Sequence, residues 1–458
     1  MKAQRERGRL NQGRRSPWKL VVRVTLALGA LLLVGVLVVL LFPDTFINGF
    51  LRDRLMSSFT QAYPAYVIRI AGVHYNVFEN RIAVDSVALN AMDSTFSCDL
   101  ASLSVRGIGW MNVLREGGVA PRSLINSALD AQHVVLTFGE YMLLCRELQV
   151  SMRDSSILVE ALEIHPVADD DQFFAQSKFR KTRFRLAIRQ VQVRSADLPA
   201  LLQGNTYRFR SAAVGDLSLD VLLNRDKPFD TKSPNPLMPN ESLSLLKGTL
   251  QVDSLTIMNG RLRYGERVVV GAEPGVITID SIKLLAEGIT NRGNPGEAIN
   301  VHMQGYFMNS APMAIHLSIP TASPDFSFRY SGTVHAMELN RLNSFLEIVE
   351  HTRITSGSLQ AATFDINVAS GHAGGNFRAQ YKDLYITVLD KHTGSEAGFG
   401  DRVTTILANM VKFRANNLSY KSGDMKIGVV KYTRKPDVPY IQFLWFALRS
   451  GIGNTVGF

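Results

Sequence analysis

The spacing φ-x-φ-x-x-φ-x-φ, where φ is apolar, returns eight times along this chain and limits what it can fold into. It runs from Ile82 to Leu89, Cys98 to Val105, Leu143 to Val150, Ile157 to Ile164, Leu186 to Val193, Ala212 to Leu219, Leu250 to Ile257 and Ile277 to Leu284. Alternation with period two marks a half-buried β-strand, and the two polar residues at the skipped beat would throw the second apolar pair onto the opposite face. A β-bulge absorbs one residue, keeps both pairs on one side and bends the strand. "RIAVDSVALN", "TLQVDSLTIMN" and "VITIDSIKLL" even share Asp-Ser at the skip: Asp85/Ser86, Asp253/Ser254 and Asp280/Ser281. The intervals between matches are irregular, so no fixed-period array is implied.

Many strands bent alike would curl one sheet into a gutter with an apolar concave face. The same spacing also suits a corner at which each strand passes between the two sheets of a sandwich. Ile82, Val84, Val87 and Leu89 would line the apolar side of the first match, and Leu186, Ile188, Val191 and Val193 that of a central one. Leu250, Val252, Leu255 and Ile257, then Ile277, Ile279, Ile282 and Leu284, would continue it.

From Val67 to about Val301 the period is two, with "MNVLRE" and "LPALLQ" as short helical candidates. Asn224 to Ser242 holds four prolines and reads as a loop. Further strands are expected at 313–319, 326–334, 359–368, 375–381 and 384–389, and helices at "LNRLNSFLEIVE" from Leu339 and "DRVTTILANMVKF" from Asp401. The chain ends in a strand and an aromatic segment, Tyr440 to Leu448, which Gly451 and Gly453 are expected to stop.

The formal charge is +10, of which residues 1–19 carry +6, so the body is nearly balanced and nucleic-acid binding is not indicated. The basic tail precedes 19 positions without a charge, Val24 to Phe42, extended backwards by Leu20 to Val22. At about 1.5 Å per residue this run reaches across a bilayer core of about 30 Å. It exceeds the apolar region of a cleaved signal peptide, about 7 to 15 residues. An uncleaved anchor is expected, with Trp18 at one interface, Val24, Leu31, Leu40 and Phe42 in the span, and a cytoplasmic N-terminus. Next to it, residues 43–64 place Phe46, Ile47, Phe50, Leu51, Leu55 and Phe59 at helical steps, an amphipathic helix against the bilayer or the first strands.

Motifs of catalysis are missing: there is no H-E-x-x-H, Gly-x-Ser-x-Gly or phosphate-cradling loop, and no cofactor or metal is called for. An enzyme is not expected. Tyr264 and Glu266 in "RYGER" suit a solvated or hydrogen-bonded pair better than an acid/base couple. Cys98 and Cys145 both sit on apolar beats, where one disulfide or two buried thiols are equally in keeping with the spacing. In "KFRKTRFRLAIRQVQVR", Lys181, Arg183, Arg185 and Arg189 share a strand face. They suit anionic headgroups or a solvated face that discourages edge pairing.

An anchor, an amphipathic helix and then "VIRIAGVHYNVFENRIAVDSVALN" resemble the start of AsmA-like proteins of the Gram-negative envelope. The tail "KYTRKPDVPYIQFLWFALRSGIGNTVGF" is similar to the C-terminal block of such proteins from Bacteroidetes-type bacteria. The resemblance implies a repeating-β-groove fold: a long, curled, U-shaped antiparallel sheet on an inner-membrane anchor, with its body in the periplasm. It favours the gutter, and it implies phospholipid carriage in support of envelope biogenesis, with an outer-membrane or envelope protein as a further partner. The competing expectation is a scaffold that helps outer-membrane proteins assemble. The implied organisation is a cytoplasmic tail (1–19), anchor (20–42), amphipathic helix (43–64), β-groove (65–335) and C-terminal block (336–458).

Overall fold

The structure, a computed structural model, describes residues 49–457 except 117–120, 205, 231, 233–235, 270, 295, 322–324, 391–413, 419–424 and 437. The basic tail, the Val24–Phe42 run with Trp18, Leu31 and Leu40, and the helix expected from Asp401 lie outside the described residues. Among the described residues no helix is long and apolar enough to cross a membrane.

Seventeen strands are found among the described residues, and they form one sheet. The first six, β1 (Tyr66–Asn76), β2 (Arg81–Ala91), β3 (Phe96–Arg106), β4 (Ala128–Phe138), β5 (Tyr141–Ser151) and β6 (Ser156–Pro166), are eleven residues each. Longer strands follow: β7 (Lys181–Ala196), β8 (Thr206–Asn224), β9 (Thr249–Arg267) and β10 (Gly275–Thr290). The C-terminal set is β11 (Ala298–Phe307), β12 (Ala311–Pro320), β13 (Phe328–Val334), the short β14 (Met337–Glu338), β15 (Thr352–Ala369), β16 (His372–Val388) and β17 (Gly428–Thr433). Strands expected separately at 375–381 and 384–389 are one continuous β16.

Each strand pairs with the next in sequence except β13, which pairs with β15, so that β15 takes both β13 and β14 along one side. The strands do not divide into two sheets, so the skipped beat is not a sandwich corner, and the sheet does not close into a barrel. One pairing departs from the expected antiparallel order: β8 and β9 are parallel, Thr206 opposite Thr249 through Asn224 opposite Arg267. The proline-rich stretch after Asn224 is therefore a crossover that returns along the strands. Met238 on it is fully buried in the C-terminal core.

The skipped beat is a seam. Between β1 and β8, neighbouring strands leave residues at the same level without partners: Ala71 against Ser86, Ser86 against Ala101, Arg146 against Ala161, Arg189 against Asp216. Ser86, His133, Ala161, Asp216, Asn259 and Ser281 there adopt φ of +46°, +49°, +49°, +47°, +72° and +51°. A left-handed residue breaks the alternation and lets the next apolar residue regain its face. Because both neighbours skip together, pairing resumes in an unchanged register. At β10 the register does shift, between Asp280 and Lys283 opposite β11 and around Ile282 opposite β9, as in an isolated bulge. A second seam crosses the longer strands at Ser195, Arg210, Asp253 and Gly288. The Asp253/Ser254 pair belongs to this second line and the other two Asp-Ser pairs to the first.

Seven α-helices are described. They are α1 (Gly49–Ala62), α2 (Trp110–Glu116), α3 (Asp170–Ala175), α4 (Leu198–Leu202), α5 (Pro239–Ser244), α6 (Asn343–Val349) and α7 (Tyr440–Val456). The described part of the amphipathic segment, "MNVLRE", "LPALLQ" and the segment after Leu339 are helical as expected. The last helix is not: α7 continues through Gly451 and Gly453 and ends at Gly457, φ +106°, whose N–H reaches the Gly453 carbonyl at 2.8 Å. Gly451 serves close packing. A Cβ there would lie 2.7 Å from Val430 Cγ2 and 2.8 Å from Phe377 Cβ. The largest buried cluster gathers Phe326, Phe328, Phe364, Phe377 and Val430 of the C-terminal strands and loops around Phe443 and Ala447 of α7.

Candidate functional site

The apolar beats align across the pairing into one row. Val84 stands opposite Val73 and Leu103, and Val87 opposite Ile70 and Leu100. Leu162 of β6 faces Ile188, which faces Leu217 of β8, and Leu186 faces Leu219. Leu255 and Ile257 pair with Ala212 and Val214 and so extend the row; Leu250 and Val252 pair with Tyr207 and Phe209, beyond the second seam. Ile277 and Ile279 face Tyr264 and Leu262, with Ile282 opposite Gly260 and Leu284 opposite Ile257.

Burial divides this row. From β1 to β7 most of its side chains, including Ile82, Val87, Leu89, Leu186, Val191 and Val193, are half-buried. None of them belongs to a buried cluster; the buried members of the row, Val73, Val84, Ala131, Cys145 and Ile188, all lie within two residues of the seam. At β8 the environment changes. Val221 is 3% exposed while its cross-strand partner Phe184 on β7 is 45% exposed. Val221 and Tyr264 pack with Phe345 of α6, surrounded by Leu219, Leu262, Ile277, Val349, Ile441 and Trp445. Ile277 is therefore covered by helices, and Ile282 is buried. Of these two, only Ile277 is seen packed against the helices.

A polar junction fixes the helices to the sheet. Glu266, 2% exposed, accepts from Tyr264 Oη at 2.7 Å, Arg225 Nη1 at 2.6 Å and Gln442 Nε2 of α7 at 2.9 Å. Burial pushes the Tyr264 phenol far above its ordinary range, with the Glu266 charge adding to the effect, so the hydroxyl remains a donor. Of the solvated and hydrogen-bonded forms expected for the Tyr264/Glu266 pair, the hydrogen-bonded one is present, buried from solvent. Gln442 as third partner was not readable, because only the fold brings it there.

The basic face of β7 is occupied by partners within the protein. Arg183 is 1% exposed; its Nε and Nη2 lie 3.1 Å from the Asp170 carboxylate and its Nη1 3.1 Å from Asp220 Oδ2. Arg185 Nη2 donates to Asp170 at 2.8 Å, Arg189 pairs with Asp216 at 3.1 Å, and Lys181 pairs with Glu140 above the Phe173 ring. A headgroup contact by Arg183 is therefore corrected: α3 brings Asp170 over it and closes it off. Cys98 and Cys145 are free thiols on β3 and β5, whose pKa values burial raises. Among the described residues no group of three or more His, Cys, Asp or Glu is placed to hold a metal ion. Comparison with known proteins assigns no family, since no family model and no curated protein matches the chain.

Proposed function

We propose that this chain is an inner-membrane-anchored protein of the bacterial envelope that binds the acyl chains of phospholipids along the β1–β7 row, in a U-shaped groove facing the periplasm. One observation carries the reading: an apolar row that crosses seven strands without joining a buried cluster, in a sheet with no second sheet against it among the described residues. Each methylene withdrawn from water there contributes about 0.8 kcal/mol, which holds a chain without any catalytic group. The uncharged run Val24–Phe42, six residues before α1, supplies the bilayer anchor next to β1. The AsmA-like resemblance of both chain ends points the same way, and binding or moving phospholipid in this manner supports outer-membrane biogenesis.

The test is a photo-crosslinking residue at Ile82, Val87 or Leu186 in the full chain, in cells with radiolabelled phospholipid. Labelling above that at Ala83, on the opposite face, is expected. Equal labelling at both would remove the lipid reading.

A second reading, a scaffold for outer-membrane proteins, draws on one asymmetry. The free edge of β17 is blocked, because the Val429 and Lys431 N–H groups donate to Asn454 and Ser450 of α7. The strand ladder leaves the outer edge of β1 without a strand partner among the described residues, and such an edge accepts added strands. Recovery of outer-membrane barrels on β1 crosslinkers, with little lipid, would favour it.

A further inference from the structure

Resting on that lipid reading, we infer that the row is a one-ended site for a two-chain phospholipid, shut by α6 and α7 at the Leu219–Val221 end of β8, and that lipid loads and leaves on the β1 side without passing into the core that α7 packs in β12–β17.

The closure lies between two neighbouring strands. Phe184 on β7 is 45% exposed, and its partner Val221 on β8 is 3% exposed beneath α6 and α7. An acyl chain following the row across the strands meets Phe345 and Trp445 there. Leu255 and Ile257, further along the strands, lie outside that cluster, and at their level the row ends at Ile315, Leu317 and Ile319 of β12, which pack against the core that α7 enters. A Cβ on Gly275 of β10 would stand 2.7 Å from Val349 Cγ2 and 3.0 Å from the Phe345 carbonyl, so α6 rests on bare strand backbone. At the far margin α7 lies as close, since a Cβ on Gly428 of β17 would overlap the Gly451 carbonyl oxygen. Between these contacts the helix is tied to β9 through Glu266 and Gln442.

The open part has a definite size. Six steps from β1 to β7 at about 4.8 Å give about 29 Å. One leaflet's acyl chains reach about 15 Å, half of a bilayer core. Chains of one lipid therefore lie wholly on the open side of α7, with slack for an unburied headgroup. The only bilayer-length apolar run of the sequence is joined to β1 through α1, which places the source of lipid at the open end. The end away from it is occupied by protein.

The experiment places photo-crosslinking residues at Ile82 on β2, Leu186 on β7 and Leu317 on β12 in separate full-length proteins. Leu317 packs against the core beyond the helices. Each is expressed in a Gram-negative host with radiolabelled phosphate, and correct folding is checked by the far-UV spectrum, with Ile319 replacing Leu317 if that position unfolds the chain. Labelling at Ile82 and Leu186, with Leu317 at the background of Ala83, is expected. Labelling at all three would overturn the one-ended site and leave lipid binding standing. Background labelling at Ile82 and Leu186 would remove the lipid reading itself.

Discussion

Gln442 on α7 and Glu266 on β9 meet at 2.9 Å although 176 residues separate them in sequence. The buried carboxylate has three donors, from β9, from the crossover at Arg225 and from α7, so removing one leaves an acceptor short of a partner where water does not reach. Gln442→Ala is expected to destabilise the docked helix by about 1–3 kcal/mol. Amide exchange in α7 should accelerate while that in β2 to β5 stays unchanged. Unaltered exchange in α7 would show that the apolar packing alone holds the helix.

The approach of α7 to β17 makes a second prediction. Gly451→Ala adds a methyl group into Val430 and Phe377, both already buried. Helix propensity favours Ala over Gly by about 1 kcal/mol, yet overpacking costs typically 1–3 kcal/mol, roughly. A lowered thermal midpoint is expected; a raised one would mean that the helix shifts outward freely.

The seam can be tested at Ser86, whose φ is +46°. Glycine takes this conformation freely, whereas a β-branched side chain resists it by about 1–2 kcal/mol. Ser86→Gly should leave stability nearly unchanged and Ser86→Val should lower it. If the two behave alike in denaturant titrations, the left-handed residue is not what sets the seam.

The crossover is held by Arg434, whose Nη1 donates to Glu241 at 2.7 Å and Nη2 to the Pro236 carbonyl at 2.9 Å. Burial pushes the Glu241 carboxyl up, but the hydrogen bonds from Arg434 and the Met238 N–H and the Arg434 charge outweigh it, so its pKa falls below the ordinary 4.5. A depressed carboxylate contributes stability above its unfolded value and loses it as pH falls through the folded value. Protease resistance of the crossover should therefore decline below about pH 4.5, the ordinary carboxylate range. Glu241→Gln should flatten that profile.

Strands and the apolar row were legible because period two and the skipped beat are local properties of Ile82 to Leu89 and its counterparts. The parallel pairing of β8 with β9 was not: both strands carry the same alternation in either direction, and only the path of the crossover decides. Gly451 and Gly453 misled for a related reason. Glycine marks a helix end when φ is positive, but it also marks a site where backbones touch, and sequence does not distinguish the two. The covering of Ile277 depends on α6, which lies about seventy residues further along the chain.

Arg183 and Arg189 look equivalent in the sequence and differ in the fold. Arg183 is 1% exposed and shared between Asp170 and Asp220, so Arg183→Ala leaves a buried space and takes from each carboxylate its buried partner, Asp170 keeping Arg185 and Asp220 keeping Arg263. Breaking a buried pair by removing one partner costs about 3–5 kcal/mol. The Arg189 side chain is 80% exposed beside Asp216, and such a pair contributes about 0–1 kcal/mol. Arg183→Ala should thus lower the unfolding midpoint substantially, with loosened exchange at β7, β8 and α3. Arg189→Ala should remain near the parent protein in stability, which makes it the usable probe of headgroup attraction. Weaker binding to anionic than to neutral vesicles after Arg189→Ala, relative to the parent, would assign that residue a membrane contact, and no change would leave the β7 charges a structural role only.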